Sequence, residues 1–224
     1  MPKIWFITGA SSGLGLEMTQ QLLTQGHKVV ATIRRAEALT KLAQEYHERL
    51  DIVPLDLVEP ERITSAVEGA FERHGRIDVV VSNAGYGLFG AAEELTNGEI
   101  DRQIATKLTG SIHLIRAALP LLRKQGGGRI VQVSSEGGQI AYPGFSLYHA
   151  TKWVSKASSN PSRRKWVPSA STSLSPSRDR AARISEPISP ARNRWMPTMK
   201  PLPAPSAGRS LRAASRSREM RRAP

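Results

Sequence analysis

Five short runs rich in Val, Ile and Leu, each but the last followed by a stretch with helical spacing, constrain this chain more than any other feature. The runs are residues 3–8 (KIWFIT), 27–33 (HKVVATI), 51–57 (DIVPLDL), 77–82 (IDVVVS) and 129–134 (RIVQVS). Strands this continuously apolar are covered on both faces, and strands alternating with helices pair in parallel, so an α/β doubly wound parallel sheet is predicted. The first helix is expected over Leu14–Gln25, closed by Gly26, and a second over Ala36–Leu50 through Leu39, Leu42, Ala43 and Tyr46. A third starts at Pro60 and turns Ile63, Val67, Ala70 and Phe71 inward. The longest runs from Asn97 to Lys124, carrying Ile100, Ile104, Leu108, Ile112, Ile115 and Leu119 inward, and stops at Gly126–Gly128. Pro54 inside the third run cannot donate to a ladder, which suggests an edge position or an irregularity.

Charge divides the chain in two. Residues 1–152 hold 16 basic and 16 acidic side chains, so the net charge of +13 belongs entirely to residues 153–224. That segment is dominated by Ser, Arg and Pro and has no hydrophobic period. Such a composition buries too little apolar area to offset the entropy of ordering it, so disorder is expected there. The domain assignment is therefore 1–152 folded and 153–224 a disordered basic tail. The chain has no cysteine, which excludes disulfides and thiolate chemistry. Its first residues read as a strand rather than a leader, and no stretch has the ~18 apolar residues of a membrane span. A soluble, cytoplasmic protein is expected.

The loop Thr8, Gly9, Ser11, Ser12, Gly13, Leu14 and Gly15 follows the first strand and opens the first helix. Gly9 permits the sharp turn, Gly13 lets the backbone approach a pyrophosphate, and Gly15 lets helix and strand pack closely. The helix N-terminus then faces the anion. At the end of the second strand, where a carboxylate would bind the ribose 2′-hydroxyl of NAD, stand Arg34 and Arg35, with no acid before Glu37. A guanidinium there suits the 2′-phosphate of NADP, so NADP is favoured over NAD.

Tyr148 and Lys152 stand at i and i+4 and share a face if helical. A nearby cation favours the phenolate and brings a phenol toward useful acid–base chemistry. Ser135 closes the fifth strand, where a hydroxyl could hydrogen-bond a substrate carbonyl while Tyr148 protonates it.

Together these motifs resemble the short-chain dehydrogenase/reductase family over residues 3–152. Thr8, Gly9, Gly13 and Gly15 match its glycine loop, Asp56 follows strand three, and Asn83-Ala84-Gly85 follow strand four. Ser135, Tyr148 and Lys152 complete the match. The resemblance implies a Rossmann-type fold and reversible, metal-free hydride transfer between NADP(H) and a small-molecule alcohol/carbonyl substrate. It implies that Tyr148 is the proton donor and acceptor, that Ser135 orients the carbonyl, and that Lys152 binds the nicotinamide ribose. Asp56, with Leu57 beside it, would meet the adenine, and Asn83, Ala84 and Gly85 would support the cofactor cleft. The intact family fold also implies a homo-oligomer.

Two departures stand out. Lys107 occupies the position of a family asparagine that holds a water of the proton relay. An ammonium cannot accept a hydrogen bond as the amide does, and it adds charge near Lys152. The second departure is the tail, where the family's remaining helix, sixth strand and cofactor turn are not legible. A base lost at Trp153 would explain it. Reading each codon one position back turns serine codons of the TCN type into Phe, Leu, Ile or Val codons, and Arg and Pro codons into those of small residues. With suitable first bases, residues 153–174 then read WGIEGFVESVAQEVGPFGIDFT. Rival readings are a Rossmann-like binding module whose basic arm contacts nucleic acid, and a non-functional translation product. Nucleic acid is disfavoured by the tail's lack of interleaved aromatic or Gly-Arg repeats.

Overall fold

The computed structural model describes residues 1–159 and 172–174. The described residues all lie within one compact unit. Its centre is a parallel sheet of six strands in the order β3-β2-β1-β4-β5-β6. The strands are β1 (Ile4–Thr8), β2 (Lys28–Ile33), β3 (Leu50–Pro54), β4 (Val79–Ser82), β5 (Arg129–Val133) and β6 (Thr172–Leu174). The order reverses between β1 and β4, and at such a switch point the ends of two neighbouring strands open a crevice for a ligand.

The helices are α1 (Gly13–Thr24), α2 (Thr40–Glu45), α3 (Pro60–His74), α4 (Asn97–Ile104), α5 (Gly110–Lys124) and α6 (Ser146–Ser159). Two cores flank the sheet. One collects Phe6, Val30, Ile63, Val67, Phe71, Val80, Leu114 and Leu122 under α3 and α5. The other collects Ile7, Leu23, Val29, Ala31, Ile33 and Val81 under α1. The predicted face of α3 is the buried one, with Ile63, Val67, Ala70 and Phe71 all enclosed. Pro54 ends β3 at the sheet edge, as its missing N–H requires.

Three sequence expectations are corrected. The helix foreseen over residues 36–50 shrinks to a 3₁₀ turn, Ala36–Leu39, and the short α2. Pairing with β2 claims its end, since Val29 N donates to Arg49 O at 2.8 Å and Leu50 pairs with Val29.

The helix foreseen from Asn97 to Lys124 is interrupted by a π-type turn at Ala105–Thr109. This i→i+5 turn adds a residue to the count and shifts the phase of everything after it. The row facing inward is therefore Gln103, Thr106, Lys107, Gly110, Ser111, Leu114, Ala118 and Leu122, while Ile112 is exposed. Gly110 packs so near the end of β3 that a Cβ there would lie 2.6 Å from Leu57 O.

Disorder beginning at Trp153 does not hold for residues 153–159 or 172–174. The turn holding Tyr148 and Lys152 continues as α6 to Ser159, because extending a nucleated helix costs far less than starting one. Its buried face is Thr151 and Ser155, with Ser155 Oγ donating to Thr151 O at 2.7 Å. Strand β6 pairs in parallel with β5, Thr172 opposite Val131, so β5 has a neighbour on both sides. The remaining tail lies outside the described residues. No described helix is long and apolar enough to cross a membrane.

Identical substitutions at two glycines should act with opposite sign. Gly110→Ala should cost roughly 1–3 kcal/mol in denaturant unfolding, because the methyl meets main chain that cannot yield. Gly98→Ala, in the exposed first turn of α4 with nothing within 4 Å of the new methyl, should stabilise by about 0.5–1 kcal/mol. Equal effects would mean that the α5–β3 contact is looser than described.

Candidate active site

The crevice between β1 and β4 is held by two side chains. Thr8 Oγ1 donates to Val81 O at 3.2 Å and accepts from Asn83 N at 2.9 Å and Ala84 N at 3.1 Å. Asn83 Nδ2 answers by donating to Thr8 O at 2.9 Å and Gly9 O at 3.1 Å. The glycine turn closes over this clasp. Gly9 has φ +69 and a Cβ there would lie 2.7 Å from Ala84 Cα, so both its conformation and its space demand glycine. A Cβ on Gly15 would collide with Gly9 O and stand 2.6 Å from Asn83 Nδ2.

Ser12 is the N-cap of α1, yet its side chain makes no capping bond, which leaves its hydroxyl free for a ligand. Ser11 and Leu14 are half-buried beside it. The loop thus brings its small residues and the start of α1 to one spot.

At the far end of the crevice Arg34 and Arg35 emerge exposed from β2. Asp56, beyond β3, is engaged by Arg102 of α4 at 2.8 Å. Tyr86 stands between these groups. Burial raises its phenol above the ordinary value, while Arg102 and Arg34 pull it down and Asp56 and Glu99 push it up. Leu57 follows Asp56. Its side chain belongs to the core, so only its main chain can face a nucleotide.

Ser135 stands two residues beyond β5, and Tyr148 and Lys152 lie one turn apart on α6, whose Tyr148 ring packs on Gly137 of the turn that follows Ser135. Ser135 Oγ accepts from Gly137 N at 3.2 Å, which fixes the oxygen and leaves its O–H to be donated outward. Gly137 lets Tyr148 approach, since a Cβ there would lie 2.9 Å from the Tyr148 ring and 2.7 Å from His149 Nδ1. Lys152 Nζ donates to Val133 O at 3.0 Å and lies 6.0 Å from the Tyr148 ring centre. Burial lowers its ammonium to about 8, so it remains charged at neutral pH.

Lys107 joins this group. It is 7% exposed, and its Nζ lies 4.7 Å over the Tyr148 ring. Burial, and then the charge of Lys152, lower it to about 6, so at neutral pH its amine is uncharged.

Several contributors were not singled out from the sequence. Phe89, Tyr142 and Phe145 form an aromatic cluster against Tyr148, with Phe89 and Phe145 rings 4.5 Å apart. The aromatic density of residues 142–148 was a visible signal, but Phe89 was too distant in sequence to be linked. His149 accepts from Tyr142 N at Nε2 and is 2.7 Å from Gly137 O at Nδ1, so the ring proton sits on Nδ1 and both nitrogens are engaged. It braces the strand-five turn. Arg102 gave no signal, because its link to Asp56 joins separate βα units. Among the described residues no group of His, Asp and Glu is arranged to hold a metal ion.

Comparison with known proteins agrees with this geometry. The sequence profile described as short chain dehydrogenase matches residues 3–168. The chain is 44% identical over 155 residues to Oxidoreductase BOA17 of Botryotinia fuckeliana, covering 69% of this chain and 57% of that protein. It is 35% identical over 153 residues to a 3-ketodihydrosphingosine reductase of Bacteroides thetaiotaomicron, covering 68% and 54%. It therefore spans little more than half the length of these relatives. Among solved structures, a short-chain dehydrogenase of Streptomyces avermitilis superposes with TM-score 0.69 at 32% identity, covering 82% of this chain and 75% of that one. An alcohol dehydrogenase of Thermococcus sibiricus complexed with 5-hydroxy-NADP superposes with TM-score 0.71 at 28% identity, covering 78% and 75%. With its clasped glycine turn and its serine, tyrosine and lysine at the same crevice, this chain belongs to the short-chain dehydrogenase family of oxidoreductases.

Proposed function

We propose that the domain performs reversible hydride transfer between NADP(H) and a small alcohol/carbonyl substrate. The observation that carries this reading is the Ser135 hydroxyl, its oxygen tied to Gly137 N and its proton free, beside Tyr148 and a charged Lys152. Ser135 would donate to the carbonyl oxygen, and Tyr148 would protonate that oxygen as it becomes an alcohol. Lys152, held by Val133 O, would keep positive charge next to the phenol and reach the nicotinamide ribose.

The residues present fit a dinucleotide. The glycines leave the space where a Cβ would collide, and the Ser12 hydroxyl is uncommitted. Thr8, Gly9, Ser11, Ser12, Gly13, Leu14 and Gly15 would hold the pyrophosphate. Asp56 and the Leu57 main chain would face the adenine, and Asn83, Ala84 and Gly85 the nicotinamide side. When bound, the cofactor supplies or accepts the hydride. The exposed Arg34 and the absence of an acid at the end of β2 favour NADP over NAD. That two of the similar solved structures are complexes with NADP or 5-hydroxy-NADP supports the reading. The reading includes a homo-oligomer, as the intact family fold implies, and a cytoplasmic location.

The same reading holds that the chain is out of frame after Trp153, so its activity as written is impaired. Helix α6 carries the supporting pattern. Val154 is 47% exposed while Ser155 is 5% exposed, so the apolar residue faces out and the polar one in. The restored reading puts Gly at 154 and Ile at 155, matching the helix's buried face. Its Asp-Phe-Thr falls on the residues of β6. The nucleic-acid reading rests on tail residues outside those described, and nothing in the described part favours it.

Two outcomes follow. Quenching titrations should show NADPH binding at least about tenfold tighter than NADH, with Arg34→Ala removing most of that gap and leaving NADH unchanged. Equal binding of both cofactors would refute the NADP assignment. Resequencing the gene around the Trp153 codon should reveal a short run of G. One added base should open a frame whose product regains apolar periodicity at once and turns over small ketones far faster than the present chain. A restored frame that soon met a stop codon would end this explanation of the tail.

A further inference from the structure

The rings that surround Tyr148 come from two loops tied to one another. Phe89 belongs to the segment between β4 and α4, and Tyr142 and Phe145 to the segment before α6. Gly90 N donates to Gly144 O at 3.0 Å, which joins the two main chains one residue past Phe89 and one before Phe145. Gly144 has φ +74, a turn that glycine makes without strain. Phe89 is also pinned from behind, because its ring lies where a Cβ on Gly87 would collide with it.

The rings meet directly. Phe89 and Phe145 lie 4.5 Å apart, and their centres stand 6.2 and 6.4 Å from that of Tyr148. Tyr142 extends the cluster, 6.3 Å from Phe145 and edge-on to it. Phe6 and Phe71 are closed into the core, whereas Phe89 and Phe145 are only half-buried and Tyr142 is 37% exposed. Aromatic area left open beside a reacting group is surface that a bound molecule can cover.

Other approaches to the Tyr148 ring are taken. Gly137 meets one edge, and Lys107 Nζ stands over the ring at 4.7 Å. His149 has both nitrogens engaged by the main chain of Tyr142 and Gly137. The charge carried by the two loops is entirely negative. Residues 83–96 and 135–147 contain Glu93, Glu94 and Glu136 but no lysine, arginine or histidine. Glu94 Oε2 accepts from Ala91 N at 3.0 Å and would stand 3.5 Å from a Cβ on Gly90, beside the junction of the loops.

We propose that Phe89 and Phe145, with Tyr142 at the rim, select an uncharged ketone, or its alcohol, that carries an aryl or cycloalkyl ring next to the reacting carbon. The inference rests on the reading of Tyr148 as the proton donor, since a carbonyl at its hydroxyl brings its substituents to these rings. A substrate ring packs on their open faces, where offset or edge-to-face contact adds to the area buried. A methyl or ethyl group covers too little of that surface to match it. A carboxylate would lie near Glu94, with no cation from either loop to pair with it.

The chain has four phenylalanines, and Phe6 and Phe71 belong to the core, so NMR of ring-labelled phenylalanine reports the site and the fold in one spectrum. The full chain is titrated with acetophenone, butanone and phenylglyoxylate, each with and without NADPH. Acetophenone should shift the Phe89 and Phe145 signals saturably and leave those of Phe6 and Phe71 in place. Phe89→Leu and Phe145→Leu assign the signals. Acetophenone should bind at least about tenfold tighter than butanone or phenylglyoxylate. Each variant should cut that preference by about three- to tenfold while butanone binding stays the same. Retained Phe6 and Phe71 signals show that a variant is folded, and Phe145→Leu gives an independent answer where Phe89→Leu loses them.

Equal binding of acetophenone and butanone overturns the proposal, as do unmoved Phe89 and Phe145 signals or a preference that survives both variants. NADPH binding on the same samples separates the two readings. A chain that binds NADPH but shows no ring selection keeps hydride transfer and loses this substrate class. Failure to bind NADPH removes the hydride-transfer reading whatever the ketones do.

Discussion

Thr8 and Asn83 tie together the ends of β1 and β4, and most of the site depends on that clasp. A parallel sheet leaves main-chain groups unpaired where its strands end, and here they would point into a crevice. The Thr8 hydroxyl takes two N–H groups and gives its own proton to Val81 O, while the Asn83 amide covers the carbonyls of Thr8 and Gly9. With those groups satisfied, the glycine turn can fold down until Gly15 touches Gly9 O. The same contacts place the start of α1 and the Asn83–Gly85 segment on opposite lips of one crevice. Gly85 in turn gives Lys107 its channel to Tyr148.

Across that crevice the chemistry is governed by desolvation more than by ion pairing. Neither Lys107 nor Lys152 has a carboxylate partner among the described residues, and burial is the leading cause of both shifts. Their difference comes from neighbours: a carbonyl for Lys152, a like charge for Lys107. The π-type turn is the structural source of this arrangement. The Lys107 carbonyl within it accepts from Ser111 and Ser155, its side chain lies over the Tyr148 ring, and wide turns of this kind often sit at functional sites.

Helix α6 shows a fold and its sequence in conflict. The residues before Lys152 pack as a family helix should, with Gly137 and Gly138 beneath them and His149 locking the adjoining turn. Beyond Lys152 the helix keeps its path while its side chains lose agreement with it, so Val154 and Trp153 face outward and Ser155 inward. A buried serine is tolerated because it can donate to helix carbonyls, and Ser155 does so at Thr151 and Lys107. The helix survives on polar contacts where an apolar residue would contribute more.

The amino-acid sequence by itself determined the sheet, its parallel sense and the strand-turn-helix cradle, because Val/Ile runs and glycine positions act through local backbone physics. It also set Tyr148 and Lys152 one turn apart, and the structure has both on α6. What it did not determine depends on distance in the chain. The face of α5 was read correctly at Ile115 and Leu119, which pack on the core, and misread at Ile112, because one extra residue in a π-type turn shifts the phase and no local signal marks such a turn. The α2 boundary was misread because pairing with β2, remote in sequence, captured Leu50. Arg102 on Asp56 and Phe89 on Tyr148 join elements that only the packed sheet brings together. The protonation of Lys107 is the clearest case. Its residue type suggests a fixed positive charge, and only the tertiary structure, by burying it beside Lys152 without a counter-ion, makes it a neutral amine at neutral pH.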